Sequence, residues 1–343
     1  MSWIHRLFIV SISVLFALIL AEIILRVFEK FSVVHGYSYP KGMFIEDPIK
    51  GMSLTPNFSG THRFADLTYD IKTNSLGFFE DEISTDSSID LLILGDSHTW
   101  GYVEQKDRFS DVLKEKFLLN TYNCAVTGSS TVYQYSVLLD LLATGIKPKA
   151  VLIGYLPYND VEGDILHPQY SAMLGYRINN NHFDRNYQVM PSPKPSSLKF
   201  WLVKNSAILR LLVKAKKSIS NKNGIDRIES NSLPKRLIFE LELHPLYIET
   251  HVSVWRKIKQ LLDSKNIDLY AYVIPTFRYD GKVSDAYENS VNLLVGRLKE
   301  QGIEFINSTP FRDNSHHIKD KHMDKRGHLL TAIEIHEFLK KAK

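Results

Sequence analysis

Residues 89–101 read IDLLILGDSHTWG, and the fold can be worked out from this stretch. Ile89 to Leu94 is a short apolar run that stops at Gly95. A strand buried on both faces of a sheet reads this way, whereas a half-exposed strand alternates. A helical pattern comes next, from Arg108 to Phe117. The same alternation then repeats. Strands are predicted at Asn120–Ala125, Ala150–Tyr155, Asp268–Ile274 and Glu304–Ile306, and helices at Val132–Ala143, Thr250–Lys265, Asp285–Gln301 and Gly327–Lys341. Gly145 with Pro148, and later Gly302, supply helix stops. Strands alternating with helices predict an α/β architecture, a parallel sheet covered on both faces.

Two regions break the pattern. Residues 31–85 scatter Gly, Pro, Asn and Asp and read as irregular. Residues 161–249 hold Asn179-Asn180-Asn181, the stretch MPSPKPSS and an amphipathic segment from Leu198 to Lys217. They read either as an insertion or cap, which often carries specificity, or as a passive surface elaboration. Within it, the run from Lys214 to Lys217 behind Leu209, Leu211, Leu212 and Val213 suits anionic lipid heads or a solvated helix end about equally.

In parallel sheets, ligands sit beyond the carboxyl ends of the strands. The residues just past each strand are therefore informative. After the first comes Ser97, where a helix would begin. After the second comes Gly128, in Val126-Thr127-Gly128-Ser129-Ser130. After the third comes Asn159, in Leu156-Pro157-Tyr158-Asn159-Asp160. Near the end comes Asp320-Lys321-His322. A hydroxyl, an N–H beside glycine, an amide and an Asp/His pair are the inventory for acyl transfer. A nucleophile needs a base, the base an orienting carboxylate, and the oxyanion several donors. Asp313 and His316 form a rival acid and base. A metal set of His316, His317, Asp320 and His322 lacks zinc-site spacing, so neither a metal nor any other cofactor is expected. His328 reads as a structural helix-start residue, and Trp100, beside the serine, as packing by default or as the lining of an acyl or sugar pocket.

The N-terminus sets topology. Leu7 to Ala21 carries no charge, and the apolar pattern runs on to Phe28. The 22 residues from Leu7 to Phe28 would reach about 33 Å as a helix, enough for a bilayer. Glu22 and Arg26 are one turn apart and can pair. A cleavable signal ending at Ala21 is the rival reading. We expect an uncleaved anchor over 7–28, a short cytoplasmic tail, and a domain over 35–343 on the far, periplasmic side of the inner membrane. The chain's 343 residues are 44% hydrophobic and 23% charged, which excludes wholesale disorder. Its net charge of +4 is too small and too dispersed to indicate nucleic acid. The single cysteine, Cys124, excludes an intramolecular disulfide framework.

Four blocks in order, LLILGDSHTWG, NCAVTGSS, VLIGYLPYND and DKHMDKRGHLLTA, resemble those of the SGNH, or GDSL-type, hydrolase superfamily. The apolar stretch AEIILRVF, and KTNSLGFFEDE from Lys72 to Glu82, resemble its membrane-anchored bacterial branch. The resemblance covers the anchor, residues 47–160 and 250–341. It implies a three-layer sandwich with a flavodoxin-like parallel sheet. It also implies a serine esterase or O-acyltransferase needing no cofactor, with Ser97 as nucleophile, His322 as base and Asp320 as orienting acid. The oxyanion would be held by the Ser97 and Gly128 N–H groups and the Asn159 amide. The spacing of Gly327-His328-Leu329-Leu330 favours Asp320 and His322 over Asp313 and His316. Two departures stand out: Pro157 where the third block usually has Gly, and Asp-x-His where the last often has Asp-x-x-His. The expected activity removes or transfers a small acyl group, such as O-acetyl, on a cell-envelope glycan. The alternatives are a catalytically silent glycan-binding assembly factor and a lipase or phospholipase.

Overall fold

The computed structural model describes residues 2–31, 39–40, 42–47, 50–64, 67–83, 88–165, 177–178, 189–190, 206, 208–209, 211–212, 245–275, 285–306 and 322–342. The chain divides into two compact units. One joins residues 1–36 to 191–231, and the other joins 37–190 to 232–343.

The first unit holds helix α1, Trp3–Phe31. Its stretch Trp3–Arg26 is long and apolar enough to cross a membrane, and none of it is buried in protein. Two side-chain hydrogen bonds form within this helix. Ser13 Oγ donates to Ile9 O at 2.9 Å, and Arg26 Nε donates to Glu22 Oε1 at 2.9 Å.

The second unit begins with four strands: β1 Phe44–Asp47, β2 Gly51–Leu54, β3 Ser59–Phe64 and β4 Leu67–Lys72. They form two antiparallel hairpins, β1 with β2 and β3 with β4. This corrects the reading of residues 31–85 as irregular. The rest of the unit runs β5 Leu91–Gly95, α2 Ser97–Trp100, α3 Phe109–Phe117, β6 Thr121–Asn123, α4 Thr131–Ala143, β7 Ala150–Tyr155 and α5 Pro157–Ile165. A two-residue pair comes next, β8 Arg177–Ile178 with β9 Val189–Met190. Then come α6 Pro245–Asp263, β10 Asp268–Val273, α7 Asp285–Lys299, β11 Glu304–Ile306 and α8 Lys325–Ala342. Helix α5 ends at Ile165 and α6 starts at Pro245.

The five-stranded sheet has the order β11-β10-β7-β5-β6, and every neighbouring pair is parallel. In chain order this is 2-1-3-4-5, the flavodoxin-like arrangement, and its switch point lies between β5 and β7. The all-apolar strands are explained by burial on two faces. Leu92, Leu94, Val151 and Ile153 join one core with Val252 and Trp255 of α6 and Leu294 of α7. Leu91, Ile93, Ala150 and Leu152 join the other with Leu113 of α3 and Ile335 of α8. Successive side chains of a strand point to opposite faces, so one run feeds both cores. The hairpins make a third core with Phe79, Trp100, Tyr102 and Val126.

Two glycines bring helix α2 down onto the sheet. Gly95 and Gly154 are register partners on β5 and β7. A Cβ on Gly154 would lie 1.9 Å from Thr99 Oγ1 and 3.1 Å from Thr99 Cβ. Only bare backbone at both positions lets the buried Thr99 seat there, and that seat places Ser97 above the switch point. Gly154→Ala is therefore expected to cost about 1–3 kcal/mol of stability by overpacking. Adding Thr99→Ala should recover part of that cost in a double-mutant cycle followed by denaturant unfolding.

Candidate active site

Ser97 and His322, 225 residues apart in the chain, meet at the switch point, with Ser97 Oγ 2.8 Å from His322 Nε2. The imidazole is held by packing. His98 stacks on it with ring centroids 4.1 Å apart, and Tyr102 meets it edge-on at 4.5 Å. Asp320 lies outside the described residues, as do Asp313, His316 and His317. Among the described residues no group of three His, Cys, Asp or Glu is gathered for a metal ion.

Asp96 organises the serine turn. As N-cap of α2 it accepts from the His98 N–H at 2.9 Å. Its other oxygen accepts from Asn159 Nδ2 at 3.0 Å. Burial pushes its pKa up to about 6, against the opposing pull of the His98 and Thr99 N–H groups, His322 and Asn159. A carboxyl whose pKa is 3.8 unfolded and about 6 folded binds protons better in the folded state. Its stabilising effect is present below pH 3.8 and is lost as pH rises through 6. Asp96→Asn keeps a good cap but cannot titrate. Its stability relative to the parent should therefore rise by roughly 2 kcal/mol between pH 4 and 7. Unfolding curves across that range check this.

Asn159 lies in the first turn of α5, and its Nδ2 also donates to Ser129 O at 3.0 Å. Both amide protons thus face protein oxygens on the rim that carries Ser97. Pro157 is the first residue of α5. There proline suits the helix start, because its φ is preset and its missing N–H is not needed. That accounts for its place in the third block. The far end of α5 is fixed by a buried network. Asp164 Oδ2 lies 2.8 Å from His251 Nδ1, and Trp255 Nε1 donates to His251 Nε2 at 3.2 Å. Nε2 must then be unprotonated, so Nδ1 carries the proton and donates to Asp164.

Gly128, in the turn after β6, has φ 75°, a conformation that favours glycine. The turn is tied down through its neighbour. Thr127 Oγ1 lies 2.7 Å from Tyr102 Oη and 2.6 Å from Tyr39 Oη, and the two tyrosine hydroxyls also meet each other. Trp100 is buried and packs on Phe79 at 5.2 Å, so it does not line an open pocket. His328 is also buried. Its Nδ1 accepts the Phe109 N–H at 3.3 Å, and its ring stacks on Phe109, a structural role.

Asp96, Tyr102, Thr127 and Tyr39 were not singled out in the sequence. Only Asp96 had a local signal, a capping residue just before a helix start.

No family model and no curated protein matches the chain. Solved structures do resemble it. A GDSL-like lipase from Bacteroides thetaiotaomicron VPI-5482 is 10% identical, with TM-score 0.38, covering 74% of this chain and 88% of that one. The psychrotrophic esterase EstA from Pseudoalteromonas sp. is 13% identical, with TM-score 0.40 and coverage of 73% and 96%. An acetyl xylan esterase, AlAXEase, is 11% identical, with TM-score 0.39 and coverage of 71% and 97%.

Proposed function

We propose that the chain is a membrane-anchored serine esterase or O-acyltransferase of the SGNH type. The observation that carries this reading is the 2.8 Å approach of Ser97 Oγ to His322 Nε2. Ser97 donates its proton to Nε2 as Oγ attacks an ester carbonyl. The tetrahedral oxyanion takes hydrogen bonds from the N–H groups of Ser97 and Gly128 and from Asn159 Nδ2, which shares a proton now directed at Ser129 O. Collapse releases an alcohol, which receives the proton from Nε2–H, and leaves an acyl ester on Ser97. Water or a sugar hydroxyl then attacks that ester, with His322 again as base. Asp320 is assigned to the Nδ1 side of the ring, which fixes the tautomer this cycle needs.

Helix α1 would hold the catalytic unit at the outer face of the inner membrane, within reach of cell-envelope glycans. We therefore put forward a small acyl group, such as O-acetyl, on a cell-envelope glycan as the substrate. The test is incubation of the full-length protein with a fluorophosphonate and, separately, with an acetylated polysaccharide. A covalent adduct mapped to Ser97 and release of acetate, or its transfer to an added glycan, are expected. An unlabelled, folded protein would overturn the enzyme reading and leave a glycan-binding scaffold.

A further inference from the structure

Glu22 is the single acidic residue among the first 28. A carboxylate in a membrane-spanning helix is tolerated when it sits near the boundary and has partners. It lies 19 residues beyond Trp3, about 29 Å along the helix, which is close to the thickness of the hydrocarbon core. Its partners come from two directions. Arg26 Nε holds Oε1. Oε2 accepts from Ser206 Oγ at 3.0 Å and from the Ile208 N–H at 3.2 Å. Ser206 Oγ in turn accepts from the Leu209 N–H at 3.3 Å, as a helix N-cap does. A carboxylate of the anchor thus completes the capping of a helix start nearly two hundred residues away.

Leu211 and Leu212, two and three residues beyond Leu209, are 51% and 58% exposed. From Ser206 to Leu212 a helix advances only about 9 Å. If Glu22 sits at the bilayer edge, these two side chains cannot leave the interfacial zone. We propose that the segment starting at Ser206 is a second membrane contact, docked on Glu22 and placing Leu211 and Leu212 among the lipids. The occupant of this apolar surface is the bilayer that α1 crosses. The sequence beyond it carries Lys214, Lys216 and Lys217, which suits phosphate head groups. The inference rests on reading α1 as an uncleaved anchor.

The full-length protein carrying Leu212→Cys, labelled with an environment-sensitive fluorophore, is reconstituted into phosphatidylethanolamine/phosphatidylglycerol vesicles. Cys124 is buried and stays unlabelled. Nitroxide lipids labelled high on the acyl chain should remove more than half of the emission. Glu22→Leu leaves the anchor more apolar and should abolish that quenching while the protein still floats with the vesicles. Emission unaffected by nitroxide in the floating parent would overturn the proposal. Quenching retained in Glu22→Leu would overturn the docking on Glu22. A protein that does not float, with a mature N-terminus at Glu22 by mass spectrometry, would overturn the anchor and the second contact together. None of these readouts depends on enzymatic activity.

Discussion

Ser97→Ala is expected to eliminate the fluorophosphonate adduct and to lower esterase kcat by roughly 10⁴–10⁶-fold, with the unfolding temperature nearly unchanged. The size reflects the group removed. Without the hydroxyl there is no acyl-enzyme, and only binding and the oxyanion donors remain to act on a water attack. The substitution disturbs little else. Ser97 is partly exposed, and its Oγ contact is with His322. The imidazole keeps its stacking on His98 and its edge-on contact with Tyr102. His322→Ala should cost nearly as much, and the double variant little more than either single one, because residues that act as a unit are strongly non-additive. Steady-state kinetics on an aryl acetate, with thermal melts of each variant, measure this. A Ser97→Ala protein that retains a tenth of the parent rate would sink the nucleophile assignment.

The parts of this site differed in how far sequence could reveal them, and the reason is locality. Leu91–Gly95 and Ala150–Tyr155 announced themselves as apolar runs because parallel strands are buried on both faces. Ser97, Gly128 and Asn159 stand out by position, each just after a strand. The hairpins were hidden for a different reason. Strand β3 reads SGTHRF, and among its described side chains the buried one is the polar His62, so an apolar alternation is not evident in the sequence. Strand β4 does alternate, with Tyr69 and Ile71 inward and Asp70 and Lys72 outward, but it is short and lies among Asn and Gly. The Tyr39–Tyr102–Thr127 cluster joins three separate segments, and no local pattern encodes such a meeting. Pro157 departs from the Gly usual in the third block. As the first residue of a helix it is an ordinary choice.

The segment from Lys72 to Glu82 carries part of the family resemblance, and its buried acid gives the second large effect. Glu80 is 4% exposed. Its carboxylate takes Lys114 Nζ at 3.0 Å, the Asn123 N–H at 3.1 Å and Arg108 Nη2 at 3.4 Å. Arg108 is buried as well and also holds Asp111 at 2.7 Å. Glu80→Ala therefore leaves a buried guanidinium with one carboxylate instead of two, and the Asn123 N–H without its acceptor. Breaking a buried pair by removing one partner costs about 3–5 kcal/mol, and at this size that lowers Tm by roughly 10 °C. The loss should also reach the serine turn. Asn123 Nδ2 donates to Thr99 O at 3.0 Å, within the helix that starts at Ser97, so kcat should fall at temperatures where the variant is still folded. Glu82→Ala is the matched control. Glu82 is exposed and, among the described residues, holds Ser75 at 2.6 and 2.7 Å, so its loss should cost under about 1 kcal/mol. Equal denaturation midpoints for the two variants would show that Glu80 is a surface-like acid and that the serine turn does not depend on it.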